Sequence, residues 1–217
     1  MMLKRSFFSS NLKSSERIGP HDFLIIELFF GSLLGDCYAE KRNNSTRFVF
    51  HQSSRNVEYI SFIVNTLVEF GYCSKGLKKK KQIGKKNKVY FSIKKATFSF
   101  SSLNWVYDCF YSDKKKKIPD EISFYLTARA LAFWLMDDGS RTKYGIVIST
   151  NSFTRDDINR LRKALLQNFD LETTIQVQNE NQYRIYFPKS QIVKLRKIVQ
   201  PFFVNSMLYK LDPYNLN

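Results

Sequence analysis

Two short segments, Gly31-Ser32-Leu33-Leu34-Gly35-Asp36-Cys37-Tyr38 and Leu131-Ala132-Phe133-Trp134-Leu135-Met136-Asp137-Asp138-Gly139, each run an apolar, helix-like stretch into an acidic residue. Carboxylates brought together repel one another, and a hard cation such as Mg2+, which takes oxygen ligands, relieves that repulsion. On a phosphodiester the cation activates water and stabilises the leaving oxygen. In the first segment the acid is Asp36. In the second Asp137 competes with Asp138, and Asp138 is preferred because it stands where Asp36 does, as the last acid before the chain turns away. A lysine beside such a pair stabilises charge in the transition state. Lys117 and Lys210 occupy matching places, each followed by an aliphatic residue and a nearby proline, although Lys117 also belongs to the charged run Lys114 to Lys117.

The composition says what such a pair acts on. With 35 Lys+Arg against 19 Asp+Glu, a formal net charge of +16 and a pI near 9.7, the chain favours a polyanionic partner. Its 217 residues, 43% hydrophobic and 16% aromatic, suffice for a sizeable core. Cys37, Cys73 and Cys109 form no CxxC pair and the histidines are His21 and His51, which argues against a zinc centre or a disulfide framework. The apolar run Phe23 to Gly35 is too short to span a bilayer and contains Glu27, so it reads as a buried helix. Residues 1–21 lack the apolar core of a secretory signal and read as a basic, mobile arm.

The elements that position these groups are written twice. After Asp36 come a strand-like run, Thr46 to Gln52, and an amphipathic helix with Val57, Ile60, Ile63, Val64 and Leu67. After Asp138 come Gly145 to Thr150 and a helix with Ile158, Leu161, Leu165 and Leu166, which Thr154 and Asp157 are spaced to cap. A late strand follows in each half, Lys88 to Lys94 and Gln182 to Pro188, and then a helix, about 101–110 and 190–199. This is a duplicated α+β unit with antiparallel strands, divided as 22–118 and 119–217. Gly31 and Gly35, like Ala128 and Ala132, give each motif helix a small face for close packing.

Between Gly71 and Tyr107 there are ten lysines and no acid. Val89, Phe91 and Ile93 alternate with polar residues there, as in a strand with one face on a core and one toward solvent or phosphate, while Lys78 to Lys81 reads equally as a solvated loop. Arg47, His51, Gln52, Lys88, Lys94, Arg141, Lys143, Gln176, Gln178 and Arg184 are candidates to contact DNA, with side chains able to reach base edges from a ribbon in the major groove.

With the repeat and its acidic helix ends in view, the chain resembles the LAGLIDADG homing endonucleases, in the double-motif, single-chain branch. The strings Phe29 to Cys37 and Leu131 to Gly139 occupy the two motif positions, and Thr150-Asn151-Ser152-Phe153 and Met207 to Leu211 also look like the family. Cys37 replaces the family's terminal glycine, and Phe133 stands where many members have Gly or Ala. The resemblance implies two pseudo-symmetric αββαββα units with saddle-shaped antiparallel sheets. It implies a monomer that cleaves a long, roughly pseudo-palindromic site in double-stranded DNA across the minor groove, leaving short 3′ overhangs and promoting intron mobility. It assigns catalysis to Asp36, Asp138, Lys210 and Lys117. It assigns Mg2+, with Mn2+ or Ca2+ as substitutes, to Asp36, Asp138 and the backbone carbonyls of Cys37 and Gly139. No membrane partner is implied, and family and composition together suggest an organellar gene. Two readings from other classes stay open: an intron maturase, binding RNA on the same scaffold, and a DNA-binding protein without catalysis.

Overall fold

A computed structural model of the chain describes residues 11–83, 87, 89–180 and 182–212. In chain order the elements are α1 (Phe23–Leu34), β1 (Tyr38–Arg42), β2 (Ser45–Ser53), α2 (Val57–Glu69), β3 (Lys79–Ile83), β4 (Val89–Ala96), α3 (Asn104–Phe110), β5 (Tyr111–Ser112) and β6 (Lys115–Lys116). Then follow α4 (Ile122–Tyr125), α5 (Ala128–Asp138), β7 (Gly139–Arg141), β8 (Gly145–Ser149), α6 (Arg155–Phe169), β9 (Thr174–Asn179), β10 (Gln182–Pro188) and α7 (Lys189–Val199). Two four-stranded antiparallel sheets have the same plan, β1-β2-β4-β3 and β7-β8-β10-β9.

Among the described residues, 11–25 and 36–107 form one compact unit and 26–35 and 108–212 the other. Relative to the sequence division at 118/119, most of α1 and residues 108–118 group with the second unit. Helix α1 is apolar apart from Glu27 and Ser32, with Ile25, Leu28, Phe29, Phe30 and Leu33 fully buried. Glu27 is accommodated by an ion pair with Arg129 at 3.3 Å. No helix among the described residues is long and apolar enough to cross a membrane.

In the first unit Phe48, Phe50 and Ile93 meet α2, whose Tyr59, Ile60, Ile63, Val64 and Leu67 are buried. Val57, expected in the core, is exposed, as the helical phase gives its place to Tyr59. The Lys79 to Ile83 run is a strand, fully exposed and paired to β4. Val89 and Phe91 are also exposed, so the expected buried face of β4 begins only at Ile93, where β2 runs alongside and α2 covers the ribbon.

Of residues 1–21, expected to form a mobile arm, 1–10 lie outside the described residues and 11–21 are held to this unit. Arg17 is 7% exposed, donates to the carbonyl of Ser99 at 2.8 Å and to that of Leu12, and lies 4.9 Å from the centroid of Phe98. His21 bridges Tyr72 (2.6 Å) and Ser102 (2.9 Å). An apolar sheet end offering carbonyls and hydroxyls captures a polar segment whose own donors would otherwise need water.

In the second unit Ile146, Ile148, Ile185 and Phe187 form the buried face of the sheet. The Thr154 hydroxyl accepts from the Asp157 backbone N–H at 3.2 Å and the Asp157 carboxylate accepts from the Thr154 N–H at 3.2 Å, a complete capping box for α6. Ala164 takes the core place expected of Leu166, which is exposed.

Candidate active site and nucleic-acid interface

The motif helices meet through their small residues. A Cβ on Gly31 would stand 2.3 Å from the carbonyl oxygen of Ala130, closer than any side chain tolerates, so the α1 and α5 backbones touch only because residue 31 is glycine. The partner is Ala130, one of the small residues of α5 but not the expected Ala128 or Ala132. One turn on, a Cβ on Gly35 would lie 2.5 Å from the Cβ of Asp137 and 2.7 Å from its Oδ2. The Asp137 side chain is therefore packed in the helix seam, and Asp138 is the last residue of α5. Gly139, at the C-cap, has no room for a side chain, since its Cβ would fall 2.4 Å from the Leu135 carbonyl. It opens β7 opposite Ile148. Cys37, at the matching place in the first motif, is buried.

Asp36 is exposed, and its Oδ2 accepts a 2.8 Å hydrogen bond from Nε2 of Gln52. Oε1 of Gln52 in turn accepts from Nδ2 of Asn56 at 2.9 Å, which fixes the amide with its donors toward the carboxylate. Gln52 is 6% exposed, so this is a preformed arrangement. The strand period explains it. Gln52 lies on the side of β2 that carries Phe48 and Phe50, opposite to Arg47 and His51. Its expected role at base edges is replaced by a hold on Asp36. At the equivalent place in the second repeat stands Thr150, whose hydroxyl donates instead to the Tyr183 carbonyl at 2.6 Å.

Two lysines close the ends of the motif helices. Lys210 is 8% exposed, and its ammonium donates to the carbonyls of Met136 and, at 3.0 Å, Asp137. Those oxygens lack partners within the helix and carry the negative end of its dipole, so a buried cation is stable there. In the first motif the matching donor is Lys116, with Nζ 3.2 Å from the carbonyl oxygen of Gly35. Gly35 precedes Asp36 as Asp137 precedes Asp138. By this contact the counterpart of Lys210 is Lys116, the last residue of β6, and not Lys117, the residue after that strand; the Ile-Pro landmark does not report which of the two side chains reaches the helix end. Lys117 lies by Cys109, whose thiol is raised by burial and by Glu121 and drawn back by the Lys117 charge.

The described residues contain no cluster of three or more His, Cys, Asp or Glu able to hold a metal. The groups at the motif ends, the carboxylates of Asp36, Asp137 and Asp138 and the backbone carbonyls beside them, offer oxygen atoms, the donor type that hard divalent cations take.

The candidate DNA contacts separate by face. On the face of the first sheet turned away from α2 lie Arg47, His51 and Lys94, with His51 directly opposite Lys94. Arg42, Lys80, Gln82 and Tyr90 share that face by register and were not singled out in the sequence; counting alternate residues across the ladder finds them. Arg47 and Arg42 both reach Glu40, at 2.6 and 3.2 Å. Burial alone would raise that carboxyl, and the hydrogen bond and charge of Arg47, with Arg42, hold it below its ordinary value, leaving the trio net positive. In the second sheet Arg184 stands opposite Gln176, with Gln178 two residues on, away from the buried face. Arg141 pairs with Ile146 and so falls on the buried side, 5.8 Å from the Tyr209 ring centroid. Lys143 sits in the β7–β8 turn, 5.0 Å from the Tyr144 ring centroid. Lys88 lies outside the described residues.

The profile of the LAGLIDADG DNA endonuclease family matches residues 26–195. The chain is 36% identical over 211 residues to the cytochrome b mRNA maturase bI2 of Saccharomyces cerevisiae, covering 92% of this chain and 50% of that protein, so it spans about half the length of that relative. It is 35% identical over 147 residues to the intron-encoded endonuclease ai4 of Dictyostelium discoideum, covering 65% of this chain and 92% of that one. Its fold is similar to that of the homing endonuclease I-WcaI bound to its DNA recognition sequence, with a TM-score of 0.84, 24% identity and coverage of 95% and 96%.

Proposed function

Because this chain belongs to the LAGLIDADG DNA endonuclease family, we propose that it is a site-specific homing endonuclease that hydrolyses both strands of a long, roughly pseudo-palindromic DNA site. The products carry short 3′ overhangs, the cofactor is Mg2+ with Mn2+ as a substitute, and the protein acts as a monomer encoded in an organellar intron. The observation that carries the reading is the Asn56–Gln52–Asp36 relay at the end of the first motif helix, with a lysine on the closing carbonyls of each motif helix. A carboxylate with one oxygen held by an amide donor has its other oxygen aimed, which is what a metal ligand requires.

Asp36 and Asp138 would hold the cations, with the carbonyls of Cys37 and Gly139 as further oxygen donors. The bound metal supplies a nucleophilic water and neutralises charge on the scissile phosphate. Gln52 orients Asp36, and Lys116 and Lys210 place positive charge beside the developing phosphorane. The sheet faces bearing Arg47, His51 and Lys94, and Gln176, Gln178 and Arg184, track the duplex, and Glu40 holds Arg47 in one rotamer.

A second reading, RNA-binding maturase activity, is favoured by the relative of that name at 36% identity. One experiment separates them. Purified protein with Mg2+ is incubated with a randomised duplex library and the cut ends are sequenced. Homing activity yields one dominant site with staggered 3′ ends. A maturase without nuclease activity leaves the library intact and accelerates splicing of an intron transcript.

A further inference from the structure

We propose that Asp157 and Arg160 of α6 are positioning residues for Lys116, and that the α6 cap is thereby part of how the nuclease sets its active-site charge. The proposal rests on the reading above. Lys116 ends β6, which among the described residues is laddered to β5 alone, itself two residues long, and the joining residues Asp113 and Lys114 have φ of 49° and 63°. One further bond extends this ribbon, the Lys117 N–H donating to the Phe110 carbonyl at 2.8 Å, but so short a ribbon fixes Lys116 from the α3 side alone.

Rigidity comes from the other side of Lys116. The backbone N–H of Ile118 donates to Oδ1 of Asp157 at 3.1 Å, and the Ile118 carbonyl accepts from the Arg160 guanidinium at 3.0 Å. Both polar groups of that residue are therefore held by α6, two residues from Lys116. Arg160 also pairs with Asp157 and Asp120, each at 3.1 Å. Asp157 is 7% exposed, and its Oδ2 accepts from the Thr154 hydroxyl at 2.8 Å, so the carboxylate that caps α6 also grips the segment behind Lys116. Ile118 is buried, and Phe153, just before the cap, lies 6.0 Å from the Lys116 ammonium. A charge displaced by about an ångström loses much of its effect on a transition state while still attracting DNA.

The test uses the full chain and the duplex recovered from the cleaved library, with Arg160→Ala, Arg160→Lys, Lys116→Ala and the double variant Lys116→Ala/Arg160→Ala. Arg160→Ala lowers the single-turnover rate at saturating protein about tenfold, with DNA affinity within about twofold, and Arg160→Lys recovers part of the rate. The double variant is no slower than Lys116→Ala, because Arg160 acts through that lysine. Rate losses that multiply, a loss confined to affinity, or a wild-type rate in Arg160→Ala overturns the proposal. If the wild-type protein cuts nothing in the library, the nuclease reading has failed, and amide hydrogen exchange decides the clamp. Exchange at Ile118 then rises about tenfold or more in Arg160→Ala, while α6 stays protected. Unchanged exchange there removes the clamp.

Discussion

Gln52 donates to the Asp36 carboxylate at 2.8 Å from the buried side of β2, although the two residues are separated by a whole strand and turn in sequence. The bond orients the Asp36 carboxylate from β2, whereas Thr150 at the equivalent place in the second repeat gives its hydroxyl to the Tyr183 carbonyl.

Gln52→Leu therefore slows cleavage of the strand served by Asp36 by about 10-fold to 100-fold with little loss of DNA affinity, as expected when an outer partner of a metal ligand is removed. Single-turnover assays with each strand labelled separately check this. Equal slowing on both strands contradicts it.

Lys116 and Lys117 separate by role. Lys116→Ala removes the cation on the Gly35 carbonyl and lowers the single-turnover rate by about 100-fold, as Lys210→Ala does at the other motif, whereas Lys117→Ala cuts at nearly the wild-type rate. Rates at saturating protein read this directly, and Lys117→Ala as the slow variant reverses the assignment.

Acid should loosen the segment around His21. The ring accepts at Nδ1 from the Tyr72 hydroxyl if Nε2–H donates to Ser102, whose own hydroxyl donates to the Arg17 carbonyl. Burial lowers the His21 pKa from its ordinary 6.5, so the fold favours the neutral ring. The unfolded chain then binds the extra proton first, and the contribution is present above 6.5 and lost as pH falls from there toward the folded value. Denaturant midpoints between about pH 7 and pH 5 fall more steeply for the wild type than for His21→Gln, which carries no such proton. Parallel slopes contradict this.

Much of this is legible in the amino-acid sequence. The late strand Gln182 to Pro188 matches β10, and Thr154 with Asp157 marks the α6 cap, because periodicity and capping are local. Gly31 announced a close helix approach because nothing else about a buried helix asks for glycine. What local pattern does not carry is which face or which neighbour. Gln52 stands in the polar run His51-Gln52-Ser53, which reads as surface, and it turns to the side of Phe50 because β2 continues unbroken to Ser53. Lys116 and Lys117 are chemically identical in sequence, and a two-residue ladder decides between them. Residues 11–21 have the composition of a tail, and their anchorage depends on Tyr72, Ser99 and Ser102, all far along the chain.

The most direct test of the account is strand cleavage by single motif-acid variants on the selected duplex. Asp36→Asn and Asp138→Asn each abolish double-strand cleavage while DNA affinity stays within a few fold, and Asp137→Asn, altered in the helix seam, retains cleavage. Near wild-type double-strand cutting by Asp138→Asn, together with an inactive but folded Asp137→Asn, contradicts the assignment of the second acid. Full activity in both Asp36→Asn and Asp138→Asn contradicts the catalytic account as a whole.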